Sequence, residues 1–436
     1  MVVTDRETNP TIPELLAPAG NMEKLKTAIH YGADAVYLGG SKYSLRARAG
    51  NFDDREIRLA VDYAHDRGVK VYITINIFAH NRDLDGLEEY LLVLEEADVD
   101  GLIVADPGIL FICKQTVPEI PIHLSTQANV TNVASACFWE AQGVARLNLA
   151  RELGLAEIRE IRQATDTRME IFVHGALCIS YSGRCMLSNY FTGRDANHGD
   201  CAHPCRYSYT IVEEKRPGQY FPVEEDERGT YIFNSRDLCL LGRLPELIAA
   251  GADSIKIEGR MKSMGYVGAV VRVYRAALDY IEEQLFLGKS IQKIVLPRPF
   301  RNEINKIGTR GQTENFFDAP PSSEDMLYDI MRTNQPYAPV GIVREIRPLL
   351  IEARNVIVRE IRPLLIEARN VLETGDQVEY LGRELEPFTC RVTSMATVEG
   401  VAVDRANPGN RVLIETDPEL QVPEINSILR KQLKMS

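Results

Sequence analysis

From Glu14 to about Leu285, short apolar runs rich in β-branched residues alternate with stretches whose apolar positions recur every three or four residues. That alternation is the pattern of βα units on a parallel sheet. The runs predict strands at Glu14–Ala17, Ala35–Leu38, Val71–Asn76, Gly101–Ala105, Ile122–Ser125, Arg146–Ala150, Met169–His174 and Ser254–Glu258. Helices are predicted between them, at Met22–Tyr31, Glu56–Asp66, Leu87–Glu96, Ala134–Ala141 and Leu155–Ala164. Junctions such as Gly32-Ala33-Asp34, Gly68-Val69-Lys70 and Gly251-Ala252-Asp253 put glycine where a helix stops ahead of the next strand. Eight strands so spaced fit a TIM-like (β/α)8 barrel better than a doubly wound sheet, and no GxGxxG follows the first strand.

The barrel is predicted over 12–288, closed by a long helix at Tyr266–Leu285. One connection departs from the pattern. Between Ala176 and Thr230 the chain is rich in Cys, Gly, Asn and Arg (an insertion at 177–229), where a βα loop usually has about two to six residues. It leaves the C-terminal end of a strand, which is where barrel active sites lie. Residues 289–337 read as a linker, irregular over Arg298–Gln335. Over 338–425, short β-like runs at Val378–Tyr380, Cys390–Thr393, Gly400–Val403 and Arg411–Ile414 predict a small antiparallel barrel or sandwich. Within it, Ile342–Val356 is followed at once by an identical copy, Ile357–Val371. Two units do not make a solenoid, which needs at least about three. One copy is expected to hold the strand register, and the other to bulge or add a hairpin.

Composition narrows the function. The net charge of −12 excludes a broad, sequence-blind nucleic-acid binder, although a local basic patch remains compatible with it. No apolar run reaches the roughly 20 residues of a membrane helix. The N-terminus lacks a signal-peptide layout, and a cytoplasmic protein is expected. A reducing cytosol makes a disulfide frame a poor account of the eight cysteines. Cys113, Cys137 and Cys390 are scattered and read as inert packing thiols. Cys178, Cys185, Cys201, Cys205 and Cys239 fall within 62 consecutive positions. Thiolates gathered on one long loop and a nearby strand end suit an iron–sulfur cluster or zinc, with redox thiols as the third reading. Spacing alone leaves these open.

Glu170–Cys178 (EIFVHGALC) and Gly183–Ser188 (GRCMLS) match the signature of the peptidase U32 (collagenase-like) family, and the chain resembles that family over most of its length. Leu16–Gly20, Ala35–Gly39, Ser125-Thr126-Gln127 and Ile255–Lys262 carry the likeness further. Ser180–Cys185 with Asn189-Tyr190 and Arg194-Asp195 resembles the branch concerned with tRNA wobble-uridine hydroxylation. The resemblance implies a barrel plus a C-terminal β-domain, a [4Fe–4S] cluster (zinc being the alternative), tRNA as partner and prephenate as co-substrate. Relatives of this kind also act on ribosomal RNA or on ubiquinone precursors. The implied ligands are Cys178, Cys185, Cys201 and Cys239, with Cys205 as the alternative fourth.

The family's peptidase name finds little support in the residues: there is no HExxH and no GxSxG, and Cys178 lies among other thiols. His174, Lys256 and Glu258 are the catalytic candidates. Gln127, Arg151, Arg184, Arg194 and Arg260 are the substrate-binding candidates, and Asn76, Asp106 and Glu152 also fall at predicted strand ends. Arg46, Arg48, Arg206 and Lys262 would join the arginines in a patch suited to a dicarboxylate or an RNA backbone. The expected function is hydroxylation of the tRNA wobble uridine to 5-hydroxyuridine. A collagenase-like peptidase and a non-catalytic iron–sulfur scaffold with protein partners are the alternatives.

Overall fold

The computed structural model describes residues 10–44, 51–177, 236–308, 311–318, 336–346, 363–420 and 423–433. It also describes short stretches of backbone strand at 211–212, 220–221, 224–226, 229–231, 234–235, 326–327, 349–353 and 356–361. Eight parallel strands form the first domain: β1 (Glu14–Pro18), β2 (Ala35–Gly39), β3 (Lys70–Ile75), β4 (Gly101–Val104), β5 (Ile122–Leu124), β6 (Arg146–Asn148), β7 (Arg168–Gly175) and β8 (Ser254–Ile257). They pair in chain order, and β8 closes the barrel against both β7 and β1. Around them run α1 (Met22–His30), α2 (Asp54–His65), α3 (Leu87–Glu96), α4 (Pro107–Thr116), α5 (Val133–Ala141), α6 (Leu155–Ala164), α7 (Leu244–Ala249) and α8 (Met264–Phe286).

Local chemistry sets these boundaries. Asn21 caps α1 by accepting from the Lys24 N–H, and Asp53 with Glu56 forms a capping box on α2. Gly32 takes a φ of +90° at the end of α1, a conformation that costs glycine little. Alternation along each strand then divides the barrel wall. Leu15, Ala17, Val36, Leu38, Val71 and Ile73 pack under the helices, whereas Leu16, Ala35, Tyr37, Tyr72 and Ile103 form a separate cluster.

Two features sit beside the closed ring. Strand Asp237–Cys239 runs antiparallel to the end of β7, and Gln312–Thr313 pairs parallel beside it. The region expected to be wholly irregular holds a further helix, α9 (Arg298–Asn305), with Pro297 at its N-cap and Pro299 in its first turn. Glu303 of α9 binds Arg272 of α8 and, at 2.8 Å, Arg430 of the C-terminal domain, so this stretch brackets the two domains together.

The second domain is a closed antiparallel barrel of β9 (Tyr337–Ile346), β10 (Leu364–Ala368), β11 (Gln377–Leu381), β12 (Phe388–Thr397), β13 (Arg411–Asp417) and β14 (Ile428–Gln432). Their order is β9-β10-β13-β12-β11-β14, around a core that includes Val340, Ile366, Val378, Val392 and Leu429. Gly400–Val403 is not a full strand. Gly400 turns with φ +87°, leaving a single bridge between Ala396 and Ala402. Cys113 and Cys390 are buried as expected, and burial pushes their thiols up to about 12 and about 11. Cys137 is only half-buried, its Sγ 3.6 Å from the Ala164 carbonyl.

The duplication is absorbed by sharing. β9 uses Ile342–Ile346 from the first copy, and β10 uses Leu364–Ala368 from the second. The two pair antiparallel with a register shift between Val343 and Glu345, Ile346 lying opposite Leu364, while Leu349–Ala353 pairs with Val356–Ile361 as an additional two-stranded ladder. Inserting between the two strands leaves both uninterrupted, whereas an insertion within β9 would break its pairing with β14. Deleting residues 347–361, which restores a single copy, is expected to leave stability within about 1 kcal/mol of the parent, because an isolated two-stranded ladder is marginal in water. Urea unfolding monitored on the C-terminal domain checks this, and loss of that domain's cooperative transition would contradict it.

Candidate active site at the barrel mouth

The barrel interior is ionic below its mouth. The Glu170 carboxylate accepts from Lys256 Nζ at 2.7 Å, Asn148 Nδ2 at 2.9 Å and Arg146 Nη1 at 3.1 Å. Arg146 Nη1 also donates to Glu14 at 2.7 Å, and the Tyr72 hydroxyl donates to Glu14 at 2.8 Å. Burial opposes ionisation of Glu170, but Lys256 and Arg146 outweigh it and hold the carboxyl below its ordinary range. Burial likewise pulls Lys256 down, with the Glu170 carboxylate opposing. Lys256 therefore belongs to the closed interior, over the Tyr37 ring, rather than to the mouth where its place near a predicted strand end put it.

Several other candidates gather at the C-terminal strand ends. His174, near the end of β7, is 1% exposed, with Nδ1 3.4 Å from the Tyr274 hydroxyl and Nε2 without a hydrogen-bond partner. Burial, with help from Lys262, lowers its pKa to about 3, so the ring is neutral at pH 7. Cys239 is the in-register neighbour of His174 on the adjoining strand, and burial raises its thiol. The Glu258 N–H donates to the His174 carbonyl at 2.8 Å. Beside it Gly175 has φ +116°, and a Cβ there would lie 2.7 Å from the Glu258 Cβ. No other residue type fits that approach without rearrangement.

The remaining described candidates have mixed surroundings. Gln127 is buried, its Oε1 accepting from Ser125 Oγ at 3.3 Å and its Nε2 unpartnered. Arg151 donates to the Ala176 carbonyl at 2.9 Å and lies over the Phe172 ring. Arg260 is no rim charge. It is 4% exposed and donates to Ser44 Oγ at 2.9 Å, Thr74 Oγ1 at 3.3 Å and Asn51 Oδ1 at 2.6 Å. Asp106 caps α4, accepting from the Gly108 and Ile109 N–H groups. Cys178, Cys185, Cys201, Cys205, Arg184, Arg194, Arg46, Arg48 and Arg206 lie outside the described residues. Among the described residues, no group of three or more His, Cys, Asp or Glu side chains is placed to hold a metal ion.

Sequence reasoning missed Tyr266 and Tyr274 of α8 and the Lys262–Asp237 ion pair (3.5 Å), all packed around His174 and Cys239. The legible signal was two tyrosines eight positions apart, which share one face of a helix.

The buried histidines carry a pH prediction. Burial lowers His30 to about 4, and His123 and His174 to about 3, from an ordinary value of 6.5. The unfolded chain therefore binds more protons than the folded one below pH 6.5. Stability should fall as pH drops from 6.5 toward 4, by up to about 1.4 kcal/mol per pH unit per histidine. Urea titrations at pH 7, 6 and 5 measure it. A flat profile would mean that these rings are not excluded from protonation in the folded state.

A parallel barrel with its candidate side chains at the strand ends, followed by a six-stranded antiparallel barrel, defines a two-domain α/β protein. The sequence matches Peptidase family U32 over residues 20–327 and the Peptidase family U32 C-terminal domain over 336–430. The chain belongs to the peptidase U32 family. It is 40% identical over 399 residues to tRNA hydroxylation protein P1 of Bacillus subtilis (strain 168), covering 90% of this chain and 89% of that protein. It is 39% identical to tRNA hydroxylation protein P of Escherichia coli (strain K12), covering 70% of this chain and 74% of the other. With the 23S rRNA 5-hydroxycytidine C2501 synthase of the same organism the identity is 38%, over 72% of this chain and 44% of that protein. Among solved structures, the U32 peptidase Mk0906 aligns with a TM-score of 0.38 at 17% identity, covering 57% of this chain and 92% of the other. Among the described residues no helix is long and apolar enough to cross a membrane.

Proposed function

We propose that this protein hydroxylates tRNA at the wobble uridine to give 5-hydroxyuridine, with prephenate as co-substrate and a [4Fe–4S] cluster at the barrel mouth. The observation that carries the reading is the near full-length similarity to a tRNA hydroxylation protein, joined by a relative named for making 5-hydroxycytidine in ribosomal RNA. Replacing C–H by C–OH on a pyrimidine is a two-electron oxidation, so the step needs a two-electron acceptor and a source of the oxygen atom, which one co-substrate can supply together. An iron–sulfur cluster, when bound, supplies one-electron redox chemistry.

Cys178, Cys185, Cys201 and Cys239 would hold it, with Cys205 as the alternative fourth ligand and zinc as the alternative occupant. Of the four, Cys239 is the one among the described residues, and its place supports the reading. Cys239 lies at the C-terminal end of the barrel in register with His174, and Cys178 follows His174 by four positions along the chain. His174 is a neutral ring whose Nδ1 meets the Tyr274 hydroxyl. With that hydroxyl donating to the Val173 carbonyl at 2.8 Å, Nδ1 carries the proton and Nε2 keeps its lone pair as an acceptor. Gln127 and Arg151 would orient substrate, and Arg184 and Arg194 would supply charge for the prephenate carboxylates. The net charge of −12 restricts RNA contact to a local surface, which the C-terminal domain would extend. Proteolysis is poorly served, because a histidine held near pKa 3 is a weak general base at neutral pH.

Mass spectrometry of bulk tRNA from cells lacking this protein tests the reading. Loss of wobble 5-hydroxyuridine and its derivatives is expected, and unchanged levels in a strain without a second such enzyme would refute it.

A further inference from the structure

β10 sits between β9 and β13, with Ile366 opposite Val343 on one side and Val412 on the other. Its residues Leu364–Ala368 have an exact duplicate in Leu349–Ala353, which pairs outside the barrel. That outer ladder repeats the barrel's own pairing. In it Leu349 lies opposite Ile361, Leu350 opposite Glu360, Glu352 opposite Ile357 and Ala353 opposite Val356. Their counterparts in the other copy meet in the barrel: Leu364 with Ile346, Leu365 with Glu345, Glu367 with Ile342 and Ala368 with Gly341. Each ladder also carries one register shift, at adjacent positions of the repeat. The same two sequences therefore pair twice in nearly the same register, once inside the barrel and once beside it.

We propose that Leu349–Ala353 and Leu364–Ala368 exchange for the single place between β9 and β13, giving the C-terminal domain two arrangements. In the first, seen in the structure, the extra chain runs between β9 and β10. In the second, Arg347-Pro348 joins β9 directly to Leu349–Ala353 as a two-residue hairpin link, and the extra chain follows that strand. Every residue that β10 gives to the barrel is then supplied by an identical one. The match continues through Arg354-Asn355-Val356, the counterparts of Arg369-Asn370-Val371. The Ala368 N–H bond to the Asn410 carbonyl (2.8 Å), the Arg369 N–H bond to the Val340 carbonyl (2.9 Å) and the Arg369–Glu23 ion pair thus all have substitutes. Both arrangements leave the six barrel strands uninterrupted and loop out the same number of residues, so neither pairing nor loop closure separates them strongly. β9 does not exchange in this way. A Cβ at Gly341 would lie 3.1 Å from Ile366 Cδ1, and the second copy is preceded by Val356 at that position. Two packings of one sequence close in free energy make a switch. Here the switch would carry the extra chain from the Ile346 end of β9 to the stretch that meets Glu23, in the first turn of α1.

The experiment compares backbone hydrogen exchange, read by mass spectrometry, in the full-length chain and in the chain lacking residues 347–361. Ile366 is fully buried, so Ile366→Asp places a carboxylate in the core wherever no substitute strand exists. In the shortened chain this substitution is expected to abolish the protection of β9 and β13. In the full-length chain it should leave β9 and β13 protected and transfer protection from 364–368 to 349–353. The substitution itself makes the two copies distinguishable by mass. Ile351→Asp in the full-length chain should leave β9, β10 and β13 protected, and the double variant should lose all three. Loss of β9 and β13 protection in full-length Ile366→Asp overturns the proposal. So does their retention while 349–353 still exchanges freely.

Discussion

Glu170→Ala is expected to destabilise the barrel by about 3–5 kcal/mol, the usual cost of removing one partner from a buried ionic group. The reason is the geometry around that carboxylate. Lys256 and Arg146 both lie against it with side chains under 5% exposed, and only Glu14 remains to compensate two cations if it is lost. For a domain of this size the shift in melting temperature is of order 10 °C. A double variant, Glu170→Leu with Lys256→Met, separates charge from packing. It removes one charge of each sign and keeps the volume, and so should recover most of the loss, because a buried pair is often no better than apolar residues of the same shape. Differential scanning calorimetry of the three proteins is the check. If the double variant is as unstable as the single one, the interior is held by shape rather than by charge balance.

Cys239→Ser is expected to abolish the cluster, with iron and acid-labile sulfide lost from anaerobically purified protein and RNA hydroxylation falling to background. Cys205→Ser should retain both. The asymmetry follows from position. Cys239 sits on a strand hydrogen-bonded into the barrel sheet beside His174, which gives its sulfur a fixed place at the mouth. A donor held in place by the sheet loses little freedom on binding. The barrel should survive the substitution, because serine adds no volume and Leu238 and Leu240, not Cys239, bury the strand's flanks. Iron retained in Cys239→Ser and lost in Cys205→Ser would exchange the two roles. Zinc in place of iron and sulfide would replace the cluster altogether.

The strands of the first domain were readable in the sequence almost to the residue. Fully buried parallel strands are continuous apolar runs, and Gly32, Gly68, Gly143 and Gly251 mark where the helices before β2, β3, β6 and β8 end. Three helices, α4, α7 and α9, were not delimited. Asp106-Pro107 carried a cap and an N1 proline for α4, while Pro297 and Pro299 looked like linker and instead start α9. The duplication was legible as a repeat, but its sharing between β9 and β10 depends on pairing with strands distant in the chain. The site divides in the same way. His174, Glu258 and Cys239 were singled out because they end strands or cluster as thiols. Lys256 was misplaced because strand parity gives the face of a side chain and not its depth in the barrel, which Glu170 and Arg146 fix from two other strands. Tyr274 was invisible for a related reason: the groups its hydroxyl meets, Val173 and His174, lie about a hundred residues earlier, and only the packing of α8 brings them together.

The central claim joins the cysteines to RNA hydroxylation. It is tested most directly by mass spectrometry of tRNA from a strain lacking the protein, complemented either with the parent chain or with Cys178→Ser produced at equal level. The parent should restore wobble 5-hydroxyuridine, and Cys178→Ser should leave it at the level of the empty strain. Full restoration by Cys178→Ser, or none by the parent, would contradict the account.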